Sequence, residues 1–126
     1  MTGPLEGIRV VDLTQVVSGP LATMLLADQG AEVVKVEPLG IGGDVTRLPS
    51  FAKGGISALF VNNNRGKRSL AVDLTKEEGK QIVIDLVEQA DVFIQNFRPG
   101  AIERLGLSYD ELKAVNPKLI YCSISG

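Results

Sequence analysis

The sequence predicts an α/β fold, a doubly wound and mostly parallel sheet with helices on both faces. Three observations carry that expectation. Short Val- and Ile-rich runs alternate along the chain with segments whose apolar residues fall at helical spacing. The runs are near-continuously apolar instead of alternating in polarity, as in strands covered on both sides. Glycine, proline and capping residues punctuate the boundaries between them.

Ile8-Arg9-Val10-Val11-Asp12-Leu13 is the first strand. Ser18-Gly19-Pro20 then offers a cap with proline in the first helical turn. Residues 20–29 carry Leu21, Met24, Leu25 and Leu26 as the apolar stripe, and Gly30 closes the helix. Glu32-Val33-Val34-Lys35-Val36-Glu37 is the second strand, completing a βαβ unit. Residues 38–55 hold Pro38, Pro49 and the Gly40, Gly42, Gly43 group, and read as a long excursion outside the sheet, of the kind that is functional or mobile. An apolar segment at 56–61 leads into polar residues 62–68, and Ser69-Leu70-Ala71-Val72-Asp73 returns to strand character. Thr75 with Glu78 reads as a capping box for a helix to about Gln89, on the stripe Ile82, Val83, Leu86 and Val87. Val92-Phe93-Ile94-Gln95 is the next strand. Asn96-Phe97-Arg98-Pro99-Gly100 is a turn opening a helix of one to two turns that ends at Leu105-Gly106. Ser108 with Glu111 makes a second capping box, for a helix to about Val115 that Asn116-Pro117 stops. Residues 119–123 are the last strand.

Composition narrows the function. Thirteen Lys plus Arg against 15 Asp plus Glu give a net charge of -2, no global field to hold nucleic acid or an anionic membrane. With no histidine and a single cysteine, the chain has no His general base, no His metal ligand and no internal disulfide framework, so no metal is expected. Cys122, on an apolar strand without a basic partner, reads as a small core residue. Residues 1–5 lack the pattern of a secretory signal, and the longest apolar runs fall far short of the roughly 20 residues that cross a bilayer. The expected location is cytoplasmic.

In a doubly wound sheet ligands bind at the carboxyl ends of the strands, here residues 14–19, 37–43, 73–75, 96–98 and 123–126. The familiar phosphate motifs are missing there. After the first strand stands Thr14-Gln15-Val16-Val17-Ser18-Gly19-Pro20, with one glycine of a Gly-x-Gly-x-x-Gly in place, and no phosphate-loop lysine motif occurs. Glu37 imitates a ribose-binding acid or is a solvated strand end. Arg65, Lys67 and Arg68 form the densest positive cluster, with a supporting role toward phosphates or a solvated loop as its two readings; Arg47 is similar.

The strand-end segments resemble the class III CoA-transferases, the relatives of formyl-CoA transferase, carnitine CoA-transferase and α-methylacyl-CoA racemase. The likeness begins at Pro4-Leu5-Glu6-Gly7-Ile8-Arg9-Val10-Val11-Asp12-Leu13-Thr14 with Ser18-Gly19-Pro20. It continues through residues 26–38, 64–73, Ala90-Asp91-Val92-Phe93-Ile94-Gln95-Asn96-Phe97-Arg98-Pro99-Gly100 and Leu105-Gly106-Leu107. The resemblance implies a Rossmann-like sheet left incomplete by this chain. Residues 1–126 would be the N-terminal part of the CoA-binding α/β domain, with the rest of the enzyme beyond Gly126 and an interlocked homodimer as the assembly. It implies coenzyme A as ligand, in acyl-CoA, and a carboxylic acid acceptor.

The coenzyme residues so implied are Gln15, Val16, Val17 and Ser18; Val72, Asp73, Leu74 and Thr75; Asn96, Phe97 and Arg98; and Arg104. Arg104 is a fixed-charge partner for phosphate, Asn96 bonds amides in both directions, and Phe97 lines the adenine or the pantetheine arm. Read without the family, these are a solvated helix arginine, a turn asparagine and a core phenylalanine. Three positions depart from the family pattern. Val17 replaces a glutamine that formyl-CoA transferases place near a small dicarboxylate, Pro38 replaces an arginine, and Thr75 replaces a lysine of the adenine loop, with Lys76 next to it. The family's transferases use one aspartate as nucleophile and its racemases a His and Asp pair. None of Asp12, Asp28, Asp44, Asp73, Asp85, Asp91 or Asp110 matches that position, so no catalytic residue is assigned. The alternatives to a transferase are an acyl-CoA racemase of the same fold and a non-enzymatic nucleotide-binding module.

Overall fold

The computed structural model describes residues 2–125. Strands β1 (Arg9–Asp12), β2 (Glu32–Pro38), β3 (Arg68–Val72), β4 (Val92–Gln95) and β5 (Ile120–Ser123) form one parallel sheet in the spatial order β3-β2-β1-β4-β5. The chain starts in the middle of the sheet, builds outward through β2 and β3, then crosses to β4 and β5 on the other side. The reversal falls between β1 and β4, where Val11 lies opposite Phe93, and such a reversal opens a crevice at the strands' carboxyl ends.

Alternate residues of β1 face opposite layers, as strand geometry requires. Val11, with Leu13 just beyond the strand, joins the larger core under helices α3 (Glu77–Glu88), α4 (Ala101–Arg104) and α5 (Tyr109–Val115), with Val83, Val87, Phe93 and Leu112. Val10 joins Ala27, Val33 and Ile94 in the smaller core beneath α1 (Ser18–Asp28). Cys122 packs at the edge of that second core.

Several local expectations fail for identifiable reasons. Ser18 is the first residue of α1 and not its cap; Val17 precedes it and no side chain caps the helix. The buried face of α1 is Gly19, Pro20, Thr23, Met24 and Ala27, while Leu21 and Leu25 stay 38% and 49% exposed. The helix approaches the end of β1 so closely that a methyl on Gly19 would overlap the Thr14 side chain. Close approach therefore selects small residues at the start of this face and turns Leu21 and Leu25 outward, while Leu26 packs against the smaller core. Thr75 does not cap α3: Lys76 occupies that position without a side-chain bond, and Thr75 bonds Asp73 instead. The stripe of α3 buries Val83 and Val87 but leaves Ile82 exposed. Ser108 and Glu111 do form the expected capping box of α5.

The apolar segment at 56–61 runs into a helix, α2 (Ala58–Asn64), capped by Ser57 Oγ accepting from the Phe60 N–H at 3.1 Å. Its buried residues are Asn63 and Asn64 while Val61 faces out, so its polarity is the reverse of an ordinary amphipathic helix. The glycine-rich excursion is ordered by two short 3-10 turns, Val45–Arg47 and Pro49–Phe51.

Candidate functional site

At the carboxyl end of β1 the chain turns sharply into α1. Asn96, at the end of β4, holds this turn from across the crevice, 81 residues away in sequence. The Gln15 N–H donates to Asn96 Oδ1 at 2.9 Å and Asn96 Nδ2 donates to the Gln15 carbonyl at 2.7 Å. The asparagine expected to bond ligand amides thus spends one donor and one acceptor on the backbone, keeping one of each. Next to Gln15, Val16 takes a positive φ of 73°, rare for a β-branched residue. Val16, Val17 and Ser18 are exposed beyond it. On the β4 side the Phe97 N–H donates to Gln95 Oε1 at 2.8 Å, and Gln95 Nε2 donates to Ser123 Oγ at 2.8 Å, so buried Gln95 ties the β4 loop to β5. Phe97 is half-buried against the larger core and Arg98 is exposed.

Beneath the turn lie two buried ion pairs. Lys67 Nζ meets Asp12 Oδ2 at 3.0 Å, with side-chain exposures of 2% and 0%. Its other bonds go to the Pro20 carbonyl and Asn64 Oδ1, at 2.9 and 2.8 Å, so all three protons are used. Asp12 also accepts from the Thr14 N–H at 2.8 Å and the Thr23 hydroxyl at 2.6 Å. Burial pushes the Lys67 pKa below the usual lysine value, against the opposing pull of Asp12. Lys35 Nζ meets Asp44 Oδ2 at 2.9 Å and the Thr14 carbonyl at 2.8 Å.

Glu37, read as a ribose acid or a solvated strand end, is neither free nor solvated. Arg47 forks onto it with two bonds of 2.8 Å, and the Arg47 guanidinium stacks 3.6 Å from the centre of the Phe60 ring. Burial raises the Glu37 pKa, but the Arg47 fork, the Asp44 N–H and Lys35 outweigh it and hold the carboxyl below its usual range. Asp44 behaves alike: burial raises it, and Lys35 with Thr46 brings it lower. Three of the cations considered for phosphates are therefore already paired with carboxylates: Lys67 to Asp12 in the interior, Arg47 to Glu37 half-buried, and Arg65 to Asp28 at 2.6 Å on the surface.

A second feature lies farther along the strand ends. Leu74, Thr75, Lys76, Lys80, Arg104 and Gly106 are among the residues lining a cleft of about 480 Å³ between the β3–α3 loop and α4. Gly100, left-handed at φ 85°, caps α4 and leaves room for the Arg104 guanidinium to lie over it. Among the described residues, neither Arg98 nor Arg104 is in an ion pair. Thr75 is itself neutral; Lys76 and Lys80 supply positive charge beside it, and Glu77, Glu103 and Glu111 line the same cleft. Asp73 Oδ1 accepts from the Thr75 N–H and hydroxyl at 3.0 and 2.6 Å, which lowers the Asp73 pKa. Val72 is packed in the core and its carbonyl accepts from the Leu39 N–H.

The structure thus groups the expected residues in two places: Gln15 through Ser18 with Asn96 at the crevice, and Leu74, Thr75 and Arg104 in the cleft. Lys35 and Asp44 are the functional candidates that sequence reasoning did not single out. The available signal was a lysine inside a β-branched strand and an aspartate inside a glycine-rich loop.

Comparison with known proteins gives a consistent result. The profile of CoA-transferase family III matches residues 5–126. Acetyl-CoA:oxalate CoA-transferase of Acetobacter aceti is 46% identical over 98% of this chain and 32% of its own length. Succinyl-CoA:glutarate CoA-transferase of Homo sapiens is 44% identical over 98% of this chain and 28% of its own. The crystal structure of Rv3272 from M. tuberculosis in its orthorhombic form superposes with a TM-score of 0.91 at 46% identity, covering 99% of this chain and 35% of that one. The chain spans about a third of the length of these relatives.

Proposed function

Because this chain belongs to CoA-transferase family III, we propose that it supplies the coenzyme-binding part of an enzyme that moves coenzyme A from an acyl-CoA donor to a carboxylic acid acceptor. The family match over the strand ends, where the Gln15–Asn96 lock and the Arg104 cleft lie, carries this reading. Coenzyme A presents phosphates, an adenine and a long amide arm, so it needs cations, amide partners and apolar surface in one line. Arg104, Thr75 and Leu74, with Asp73 shaping their loop over the core residue Val72, suit the nucleotide end. Asn96, Phe97 and Arg98 suit the arm, and Gln15, Val16, Val17 and Ser18 suit the thioester end.

The relatives described above are named as transferases, which favours transfer over racemisation. Transfer through a covalent acyl intermediate needs an accessible carboxylate nucleophile. Asp12 and Asp44 are fully buried in ion pairs, so neither is offered for that role. A second copy of the chain is the proposed partner. Leu25 and Val61, on the neighbouring helices α1 and α2, are half-exposed apolar groups that association would cover. No helix among the described residues is long and apolar enough to cross a membrane, and we place the enzyme in the cytoplasm.

Arg104→Ala is expected to weaken CoA binding by about 1–3 kcal/mol, the value of a hydrogen bond to a charged group. Calorimetric titration of CoA against the intact protein measures it, and an unchanged affinity removes Arg104 from the site. Val17, exposed and apolar where an amide stands in formyl-CoA transferases, favours acceptors with some apolar bulk. A competition assay should therefore rank larger acids above formate and above oxalate, the acid named in the Acetobacter aceti relative; the reverse order contradicts the assignment of Val17.

A further inference from the structure

Val16 is the one non-glycine position with positive φ among the described residues. Strained backbone of this kind persists where its surroundings over-determine it. Around this turn the peptide groups from Thr14 to the Val16 N–H are gripped by side chains. Asp12 takes the Thr14 N–H and Lys35 the Thr14 carbonyl; Asn96 takes both polar groups of Gln15; and Asp44 Oδ1 accepts from the Val16 N–H at 3.4 Å. Two of these holds are joined, because Lys35 and Asp44 are themselves paired and both side chains are almost wholly buried. Asp44 comes from the excursion after β2, where it also accepts from the Thr46 N–H and hydroxyl at 2.9 and 2.8 Å. A buried ion pair is a weak source of net stability compared with apolar residues filling the same space. What it supplies here is a fixed position for two atoms of the β1–α1 turn.

We infer that Lys35 and Asp44 are positioning residues, which together lock the turn with Val16 left-handed and so set how Val16 and Val17 are presented at the crevice. The inference rests on the reading that this turn meets the coenzyme. It adds that the glycine-rich excursion acts on the site through Asp44, as the far jaw of a clamp.

In the intact protein, Lys35→Met combined with Asp44→Leu removes both charges together and leaves no unpaired ion. Amide exchange at Gln15 and Val16 is expected to quicken by about tenfold or more, while Val10 and Ile94 keep their protection. The Kd for CoA is expected to rise by about tenfold, as a small displacement of a binding group produces. Exchanging Asp44→Leu for Asp44→Asn in the double variant, which restores a neutral acceptor for the Val16 N–H, should recover most of that affinity. A purely structural role of the buried charges would not respond to that exchange.

Unchanged exchange at residues 15 and 16 overturns the inference. So does faster exchange spread evenly through β1 and β4 with no recovery on exchanging Asp44→Leu for Asp44→Asn. If exchange quickens only in the turn while the unsubstituted protein fails to bind CoA, the clamp stands and the coenzyme reading falls.

Discussion

Lys67→Met is expected to destabilise the fold by about 3–5 kcal/mol, the cost of leaving a buried charge without its partner. Asp12 is fully buried and would keep only the Thr14 and Thr23 donors. The Pro20 carbonyl and Asn64 Oδ1 would lose the ammonium as well, loosening the start of α1 and the end of α2 together. Removing both charges with Asp12→Val and Lys67→Met should be milder than the single change, since no ion is then stranded. Arg65→Ala is the surface comparison. Its partner Asp28 and the arginine itself are 36% and 53% exposed, so the loss should be small beside that of Lys67→Met. Urea denaturation midpoints of the three variants order these costs, and Lys67→Met within about 1 kcal/mol of the unsubstituted protein contradicts the account of the pair.

The second large effect is expected at Gly79. This glycine lies in the first turn of α3, buried against the carbonyl of Asp73, which a methyl group would overlap. Alanine is the better helix former by about 1 kcal/mol, so propensity alone predicts a gain. The overlap is with backbone and cannot be relieved by rotating a side chain. Overpacking of this kind costs about 1–3 kcal/mol, and the net result is a loss accompanied by displacement of the Asp73–Thr75 loop. Gly79→Ala should consequently weaken CoA binding in the cleft even where the fold survives. Gly40→Ala is the control, since its Cβ would meet open space. Equal stability and CoA affinity for the two variants would show that the α3 start does not set the cleft.

The sequence-level reasoning succeeded where one local rule decided the outcome. Apolar strand cores fixed the parallel sheet, and Ser108 with Glu111 capped α5 as their spacing requires. It failed where tertiary contact reversed a local preference. The inner face of α2 is asparagine because Asn64 completes the coordination of Lys67, and a hydrophobicity pattern reads that face as surface. Thr75 has the composition of a helix cap, yet the helix starts one residue later behind Lys76, and the Thr75 hydroxyl donates to Asp73 Oδ1 in a local turn. For the proposed site, the rule that ligands meet the carboxyl ends of parallel strands points to the β1 and β4 loops. The grip between them was not legible, since Gln15 and Asn96 are 81 residues apart. Lys35 in a β-branched strand reads as a solvated charge until its neighbours Asp44 and Thr14 are known.

The central claim is that the carboxyl ends of these strands receive coenzyme A. Backbone amide shifts of the intact protein titrated with CoA test it most directly. Saturable changes are predicted at Gln15, Val16, Val17 and Ser18, at Asp73, Leu74 and Thr75, at Asn96, Phe97 and Arg98, and at Arg104. The amino ends of the strands, at Arg9, Glu32 and Ile120, should be silent. Changes centred on those amino ends, or no saturable response anywhere, would contradict the claim.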